Sequence, residues 1–133
     1  EITTNKDGLS EIGFYKIEAT ENAKNLFNSQ KIFFQFHSEG FSLPTGCELL
    51  ARGDIFNNQA FKYQNCYALQ FHPEVNFKLH MRWLYLVLLK NPKKLFVKGA
   101  QNIFVQLYYR YKYNKNISNW LDSFLDQYFL KKT

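Results

Sequence analysis

His72 and Glu74 are the pair whose types and spacing suit proton transfer. An imidazole can take up and return a proton near neutral pH, and an adjacent carboxylate fixes its tautomer and stabilises its cation. Both stand in Leu69-Gln70-Phe71-His72-Pro73-Glu74-Val75, where Leu69 and Phe71 alternate with Gln70 and His72 at the period of a strand. Pro73 has no N–H for a sheet ladder, so pairing is expected to stop there. A residue before proline is pushed to an extended conformation, and in an extended segment positions i and i+2 share a side. His72 and Glu74 are therefore expected side by side. The competing reading is a surface His–carboxylate pair that closes a strand.

The pair lacks a nucleophile. Cys47 follows the turn Leu43-Pro44-Thr45-Gly46, and Cys66 sits in the strand leading to His72. A reactive thiol commonly sits at a helix N-terminus or on a strained elbow, and neither cysteine has that context. Both are expected to be small buried hydrophobes. Along an extended strand rising about 3.3 Å per residue, Cys66 lies roughly 20 Å from His72, too far for a direct pair. His37 and Glu39 repeat the His72–Glu74 spacing without a proline, so His37 is expected to be a loop residue bonded to backbone. His80, beside Met81 in a helical stretch, is expected to pack or face solvent. No metal-ligand spacing and no glycine-rich phosphate loop is present, so neither metal nor cofactor is expected.

The chain has 133 residues, the size of one domain or part of one, and 46% hydrophobic residues supply a core. The apolar run Trp83 to Leu89 is far shorter than the roughly 20 residues a membrane helix needs. The polar start Glu1-Ile2-Thr3-Thr4-Asn5 is no signal peptide, and the missing initial Met fits a processed product or a fragment. Two cysteines make no disulfide framework, which points to a reducing, cytoplasmic setting. The net charge is +6, and no Asp or Glu occurs between Glu74 and Asp122. The lysines and arginines of that interval are read as a solvated helix face. No nucleic-acid motif accompanies them, so nucleic acid is not an expected partner.

The elements that must position His72 follow from the apolar pattern. Ile12–Ala19 and Lys31–His37 read as strands, the second buried on both faces. Thr20–Ser29 reads as a loop or one helical turn. His37-Ser38-Glu39-Gly40 is expected to leave the sheet as a polar loop. Cys47–Arg52 is a short strand and Gly53–Asn58 a connection. Gln59–Tyr63 and Cys66–Phe71 form a hairpin across Gln64-Asn65, with Asn at a positive φ. Asn76 caps a helix from Phe77 to about Lys90, which Asn91-Pro92 stops. A basic linker then runs to Gly99. Beyond it Ile103, Phe104, Leu107, Tyr108 and Tyr111 fall at helical spacing, as do Ile117, Trp120, Leu121, Phe124, Leu125 and Tyr128. These runs make one long helix or two divided at Asn114 and Asn116. Tyr108 and Tyr111 are placed on the core-facing stripe.

Several of these stretches resemble a known family. Gln59-Ala60-Phe61-Lys62-Tyr63 and Tyr67-Ala68-Leu69-Gln70-Phe71-His72-Pro73-Glu74-Val75 look like the C-terminal half of a class I glutamine amidotransferase domain, closest to the group similar to the amidotransferase part of GMP synthase. Glu11-Ile12-Gly13-Phe14-Tyr15 resembles that group's Glu-Ile-Gly-Trp strand, and Phe36-His37-Ser38-Glu39 its Trp-His-Gly-Asp segment. Leu43-Pro44, Leu49-Leu50-Ala51 and Trp120 to Asp126 resemble its turn, its following strand and its terminal helix.

The resemblance implies a flavodoxin-like three-layer α/β/α sandwich. In the family a Cys on a strand–helix elbow attacks the side-chain amide of glutamine, ammonia leaves, and water hydrolyses the glutamyl thioester. Carried over by position, His72 is the base, Glu74 orients it, and His37, Ser38 and Glu39 border the substrate. The family's Gly-x-Cys-x-Gly-x-Gln elbow precedes the region equivalent to Glu11, and no such pattern exists here. The resemblance therefore implies that residues 1–133 are the C-terminal portion of one domain, inactive alone and completed by a missing N-terminal half or another chain. Thr133 follows the terminal helix closely, which argues against a synthetase domain downstream. Ser38 replaces a frequent Gly and narrows the expected glutamine pocket; Phe14 and Phe36 replace Trp. The alternatives are a non-catalytic binding or regulatory remnant of the fold and a γ-glutamyl peptidase-type hydrolase.

Overall fold

The computed structural model describes residues 1–130; Thr133 lies outside the described residues. In chain order the strands are β1 (Ile2–Thr4), β2 (Glu11–Lys16), β3 (Glu18–Ala19), β4 (Ile32–His37), β5 (Glu39–Phe41), β6 (Glu48–Arg52), β7 (Ala60–Tyr63) and β8 (Cys66–Leu69). Two helices follow, α1 (Phe77–Lys90) and α2 (Ile103–Tyr128). The architecture is mixed α/β, with antiparallel strands first and helices last. β2 pairs with β4, β1 with β5, and β3-β6-β7-β8 form a four-stranded sheet. A parallel bridge joins Ile12 to Ala100.

The stretch expected as one strand from Ile12 to Ala19 is two. Up to Lys16 it pairs with β4; at Glu18 and Ala19 it pairs with Arg52 and Ala51 of β6. Fully buried Ile17 sits at the changeover, its N–H donating to the Lys31 carbonyl at 2.8 Å. One chain segment thus serves two sheets around a shared core. Segment 37–40 also departs from the expected loop, since Glu39–Phe41 pairs with Ile2–Thr4. That pairing is long-range, and local polarity carries no sign of it. In the β7–β8 hairpin the left-handed residue is Gln64, at φ 52°, rather than Asn65; a turn of this kind has its positive φ at the first central position.

Phe27, Phe33, Phe71 and Trp120 make the centre of the core, with Phe33 and Phe71 ring centroids 4.2 Å apart. The buried Trp120 indole donates to the Leu26 carbonyl at 2.7 Å, so its N–H is not left unpaired. Thr20–Ser29, which carries Leu26 and Phe27, contains a 3₁₀ turn at Glu21–Phe27.

Helix α1 starts where its cap predicts. The Asn76 side chain accepts from the Leu79 N–H at 3.0 Å, satisfying one of the free donors of the first turn. The basic linker contains a 3₁₀ turn, Pro92–Phe96. Helix α2 is continuous through Asn114 and Asn116, because burial of Ile117, Trp120 and Phe124 outweighs the weak propensity of two Asn.

The first half of α2 faces the core the other way round from the apolar stripe. Tyr108 is 58% and Tyr111 86% exposed, while Gln106 and Arg110 are buried. The polar face is inside because most of it is bonded there, although Arg110 Nη2 has no hydrogen-bond partner among the described residues. His80 Nδ1 accepts from Arg110 Nε at 3.3 Å, and Nε2 donates to Gln106 Oε1 at 3.2 Å. The guanidinium lies 4.8 Å from the Phe14 ring centroid and 5.2 Å from that of Phe34. Burial, then the Arg110 charge, push the His80 imidazole down to about 4, and burial lowers Arg110 to about 10. His80 is thus a fully buried, neutral packing residue.

Gly13 ties the helix start to the sheet. Its φ is 129°, and a Cβ there would meet Gln101 Oε1 at 2.4 Å. Gln101 occupies that space as a surrogate strand, accepting from the Phe14 N–H at 2.8 Å and donating to the Phe14 carbonyl at 2.6 Å. Glycine lets the amide reach the backbone.

Candidate active site

Strand β8 ends at Leu69, and the chain crosses from the four-stranded sheet towards β4. The Gln70 N–H still donates to the Gln59 carbonyl at 2.8 Å; two residues on, the His72 N–H donates to the Phe34 carbonyl at 2.8 Å. His72 is therefore anchored by its backbone to β4. Pro73 and Glu74 then make a tight turn, with the Val75 N–H 3.4 Å from the His72 carbonyl. Pro73 suits the second position of such a turn by its fixed φ.

The turn sets the two side chains together. His72 Nδ1 lies 2.8 Å from Glu74 Oε1. An ionised carboxylate only accepts, so Nδ1 carries a hydrogen, and in the neutral ring the lone pair is on Nε2. The His72 side chain is 32% exposed, and its ring meets Trp83 edge-on with centroids 5.3 Å apart. Trp83 also packs on Phe36, at 5.5 Å. Partial burial raises the Glu74 carboxyl, but the hydrogen bond from His72, its own backbone amide and the His72 charge outweigh that and hold it below the ordinary carboxylate range. The arrangement suits a proton acceptor at Nε2, since the hydrogen bond to Glu74 sets the ring position and the tautomer.

His37 has both ring nitrogens committed within the protein. Nδ1 is 2.9 Å from the Glu39 carbonyl oxygen; Nε2 is 3.0 Å from both Gln35 Oε1 and Glu11 Oε2. The expected backbone bond is present, but the ring belongs to a buried cluster rather than an open loop. Glu39 and Ser38 are exposed. Ser38 lines a cavity of about 400 Å³ with Ser10, Ile12, Asn91, Lys93, Lys94 and Val97, and His72 is not among its lining residues. Segment 37–39 and the His72 strand are joined through Gln70, whose Nε2 donates to the Glu39 carbonyl at 3.1 Å.

The cysteines are not buried hydrophobes. Cys66 is exposed and Cys47 intermediate, because both open onto a surface cavity of about 380 Å³ floored by Phe61, Tyr63, Tyr67 and Ala68. Cys66 pairs with Tyr63 at the turn end of the hairpin, whereas His72 follows its opposite end. Neither thiol is brought to His72. Among the described residues no group of three His, Cys, Asp or Glu is placed to hold a metal, and no helix is long and apolar enough to cross a membrane.

The buried polar residues Glu11, Gln35 and Gln59 were not singled out from the sequence. The signal was there: a carboxylate opening Glu11-Ile12-Gly13-Phe14 and an amide inside Phe33-Phe34-Gln35-Phe36 are polar groups in apolar strands, which need internal partners.

No protein-family model and no curated protein matches the chain. Among solved structures it is similar to a glutamine amidotransferase from Thermotoga maritima, with 25% identity and a TM-score of 0.80 over 96% of this chain and 54% of that one. It is also similar in fold to a glutamine amido transferase from Methylobacillus flagellatus, at 19% identity and a TM-score of 0.62 over 92% of this chain and 55% of that one. The chain has a class I glutamine amidotransferase-like fold. It spans about half the length of those proteins, and its mixed strands and C-terminal helices are part of a flavodoxin-like α/β sandwich.

Proposed function

We propose that residues 1–133 are the C-terminal portion of a class I glutamine amidotransferase domain, in which His72 is the general base and Glu74 its orienting carboxylate. The observation that carries this reading is the 2.8 Å bond from His72 Nδ1 to Glu74 Oε1, on a turn that leaves Nε2 as the base. The thiolate belongs to the N-terminal half, since Cys47 and Cys66 lie away from His72. In the complete domain His72 Nε2 takes the thiol proton and delivers it to the departing ammonia. Water then attacks the glutamyl thioester with the same nitrogen as base, and the ammonia passes to an acceptor. Ser38 and Glu39 border the glutamine, and no cofactor takes part. Exposed apolar residues of α1, including Tyr85, Leu88 and Leu89, support a chain that is completed by another segment.

The test is glutaminase activity of the chain joined to, or co-expressed with, its Cys-bearing half. His72→Ala is expected to lower kcat/KM by about 10³-fold or more. Equal rates in wild type and variant would sink the role of His72. No activity in the completed wild-type protein would favour the non-catalytic remnant, and hydrolysis of γ-glutamyl peptides in preference to glutamine the peptidase.

A further inference from the structure

Glu11 is a buried carboxylate, 1% exposed, and among the described residues its ion-pair partner is His37. The hydrogen atoms of this cluster can be counted from one fixed point. Gln59 Nε2 lies 3.0 Å from the Phe56 carbonyl oxygen, which only accepts, so that end of the amide is its NH₂ group. The same group reaches Glu11 Oε2 at 2.8 Å. Gln59 then turns its oxygen to Gln35, at 2.8 Å, and Gln35 must present its NH₂ there. Gln35 Oε1 is left facing His37 Nε2 at 3.0 Å, alongside Glu11 Oε2. On the other side of the ring, Nδ1 faces the Glu39 carbonyl at 2.9 Å.

Every partner of both ring nitrogens is thus a hydrogen-bond acceptor. Either neutral tautomer would aim a lone pair at oxygen: from Nδ1 at the Glu39 carbonyl, or from Nε2 at Gln35 Oε1 and Glu11 Oε2. An imidazolium donates from both nitrogens and neutralises a carboxylate that would otherwise be buried unpaired. The other ionisable side chains at hand are Tyr15, on the same strand as Glu11, and Glu39, whose side chain is exposed. Phe56 covers the ring, with centroids 5.0 Å apart.

We propose that Glu11 and His37 form a buried carboxylate–imidazolium pair that acts as a positioning device, holding the Glu39 backbone and, through Gln70, the strand exit that carries His72. The Glu39 carbonyl accepts from both His37 Nδ1 and Gln70 Nε2, and Gln70 N–H bonds the carbonyl of Gln59, a member of the same cluster. The path runs from a buried charge to the backbone two residues before His72. His37 touches no reacting atom in this account. The positioning role rests on the reading of His72 as the base; the charge pair does not.

Ring ¹⁵N spectra of the uniformly labelled protein near neutral pH test the pair, with His37 assigned through bonds. Both His37 nitrogens are expected in the protonated pattern in wild type, and the ring is expected to revert to a neutral tautomer in Glu11→Gln. A neutral His37 in wild type overturns the pair, and needs no variant to fold. Amide hydrogen exchange tests the positioning. Gln70→Ala cuts the link without touching the pair. It is expected to speed exchange at His72 about tenfold relative to Thr20, whose N–H belongs to the other sheet, while the His37 ring spectrum stays as in wild type. Equal acceleration at His72 and Thr20, or none, overturns the positioning role. Failure of the glutaminase assay moves neither readout, so the two proposals fail separately.

Discussion

At the residue scale, the His72–Glu74 pair is set by a turn, and that has consequences for both partners. Expected side by side from an extended i, i+2 spacing, they are adjacent because Pro73 and Glu74 bend the chain back on itself. Pro73 ends the strand and extends His72, as expected, but a further property, a φ suited to a turn, does the positioning. Glu74→Gln keeps the size of the side chain but removes the charge that stabilises the imidazolium. If the proposed amidotransferase is completed, the substitution is expected to lower kcat/KM by about 10²–10⁴-fold, less than or similar to loss of His72. Because the folded-state value of Glu74 is depressed, its small contribution to stability is present above the unfolded carboxylate range and lost as pH falls through the folded value. The group is half exposed, so the contribution is about 0.5 kcal/mol or less. A denaturation series on wild type and Glu74→Gln between pH about 3 and about 6 checks both sign and size.

At the element scale, the start of α1, the strand β4 and the hairpin that delivers His72 were legible because cap residues and apolar periods act locally; the Asn102 cap of α2 was not. The pairing of β5 with β1, the transfer of the chain between sheets at Ile17, and the inward polar face of α2 were not, since each depends on a partner far away in sequence. Gln106 and Arg110 look like surface residues by type; they are internal because His80 and Gln101 bond the Gln106 amide and His80 accepts from Arg110 Nε. This polar cluster predicts an acid sensitivity. His80 falls from an ordinary 6.5 to about 4 on folding, so the unfolded chain binds the extra proton between those values and stability is lost as pH falls through them. The loss amounts to about 3 kcal/mol at most. Urea denaturation of wild type and His80→Gln is expected to show a steeper loss in wild type over that window; parallel curves would remove His80 as the cause. Gly13→Ala tests the surrogate strand of Gln101. Its strained φ and the displaced amide are expected to cost about 1–3 kcal/mol, read as a lower urea midpoint.

At the scale of the whole molecule, the core and the surface ask different things of the chain. The centre around Phe33, Phe71 and Trp120 is buried. Its helical side is not closed: Tyr85, Leu88 and Leu89 of α1 are exposed, as are Phe96, Phe104 and Tyr111 further on. Such residues scattered singly mean little, but several on one helix form a patch of the kind that marks an interface. The glutamine amidotransferases of similar fold are about twice as long, and under the proposed function the occupant is the other half of the domain. The chain alone is therefore expected to self-associate with concentration and to bind an apolar dye, both effects disappearing when the Cys-bearing half is present. Sedimentation over a hundredfold range of concentration, with and without that half, decides this. A dye-silent monomer across the range would mean that the apolar residues of α1 and α2 are tolerated surface. The proposed N-terminal half would then have to join through the sheet, where Ile12 already pairs in parallel with Ala100.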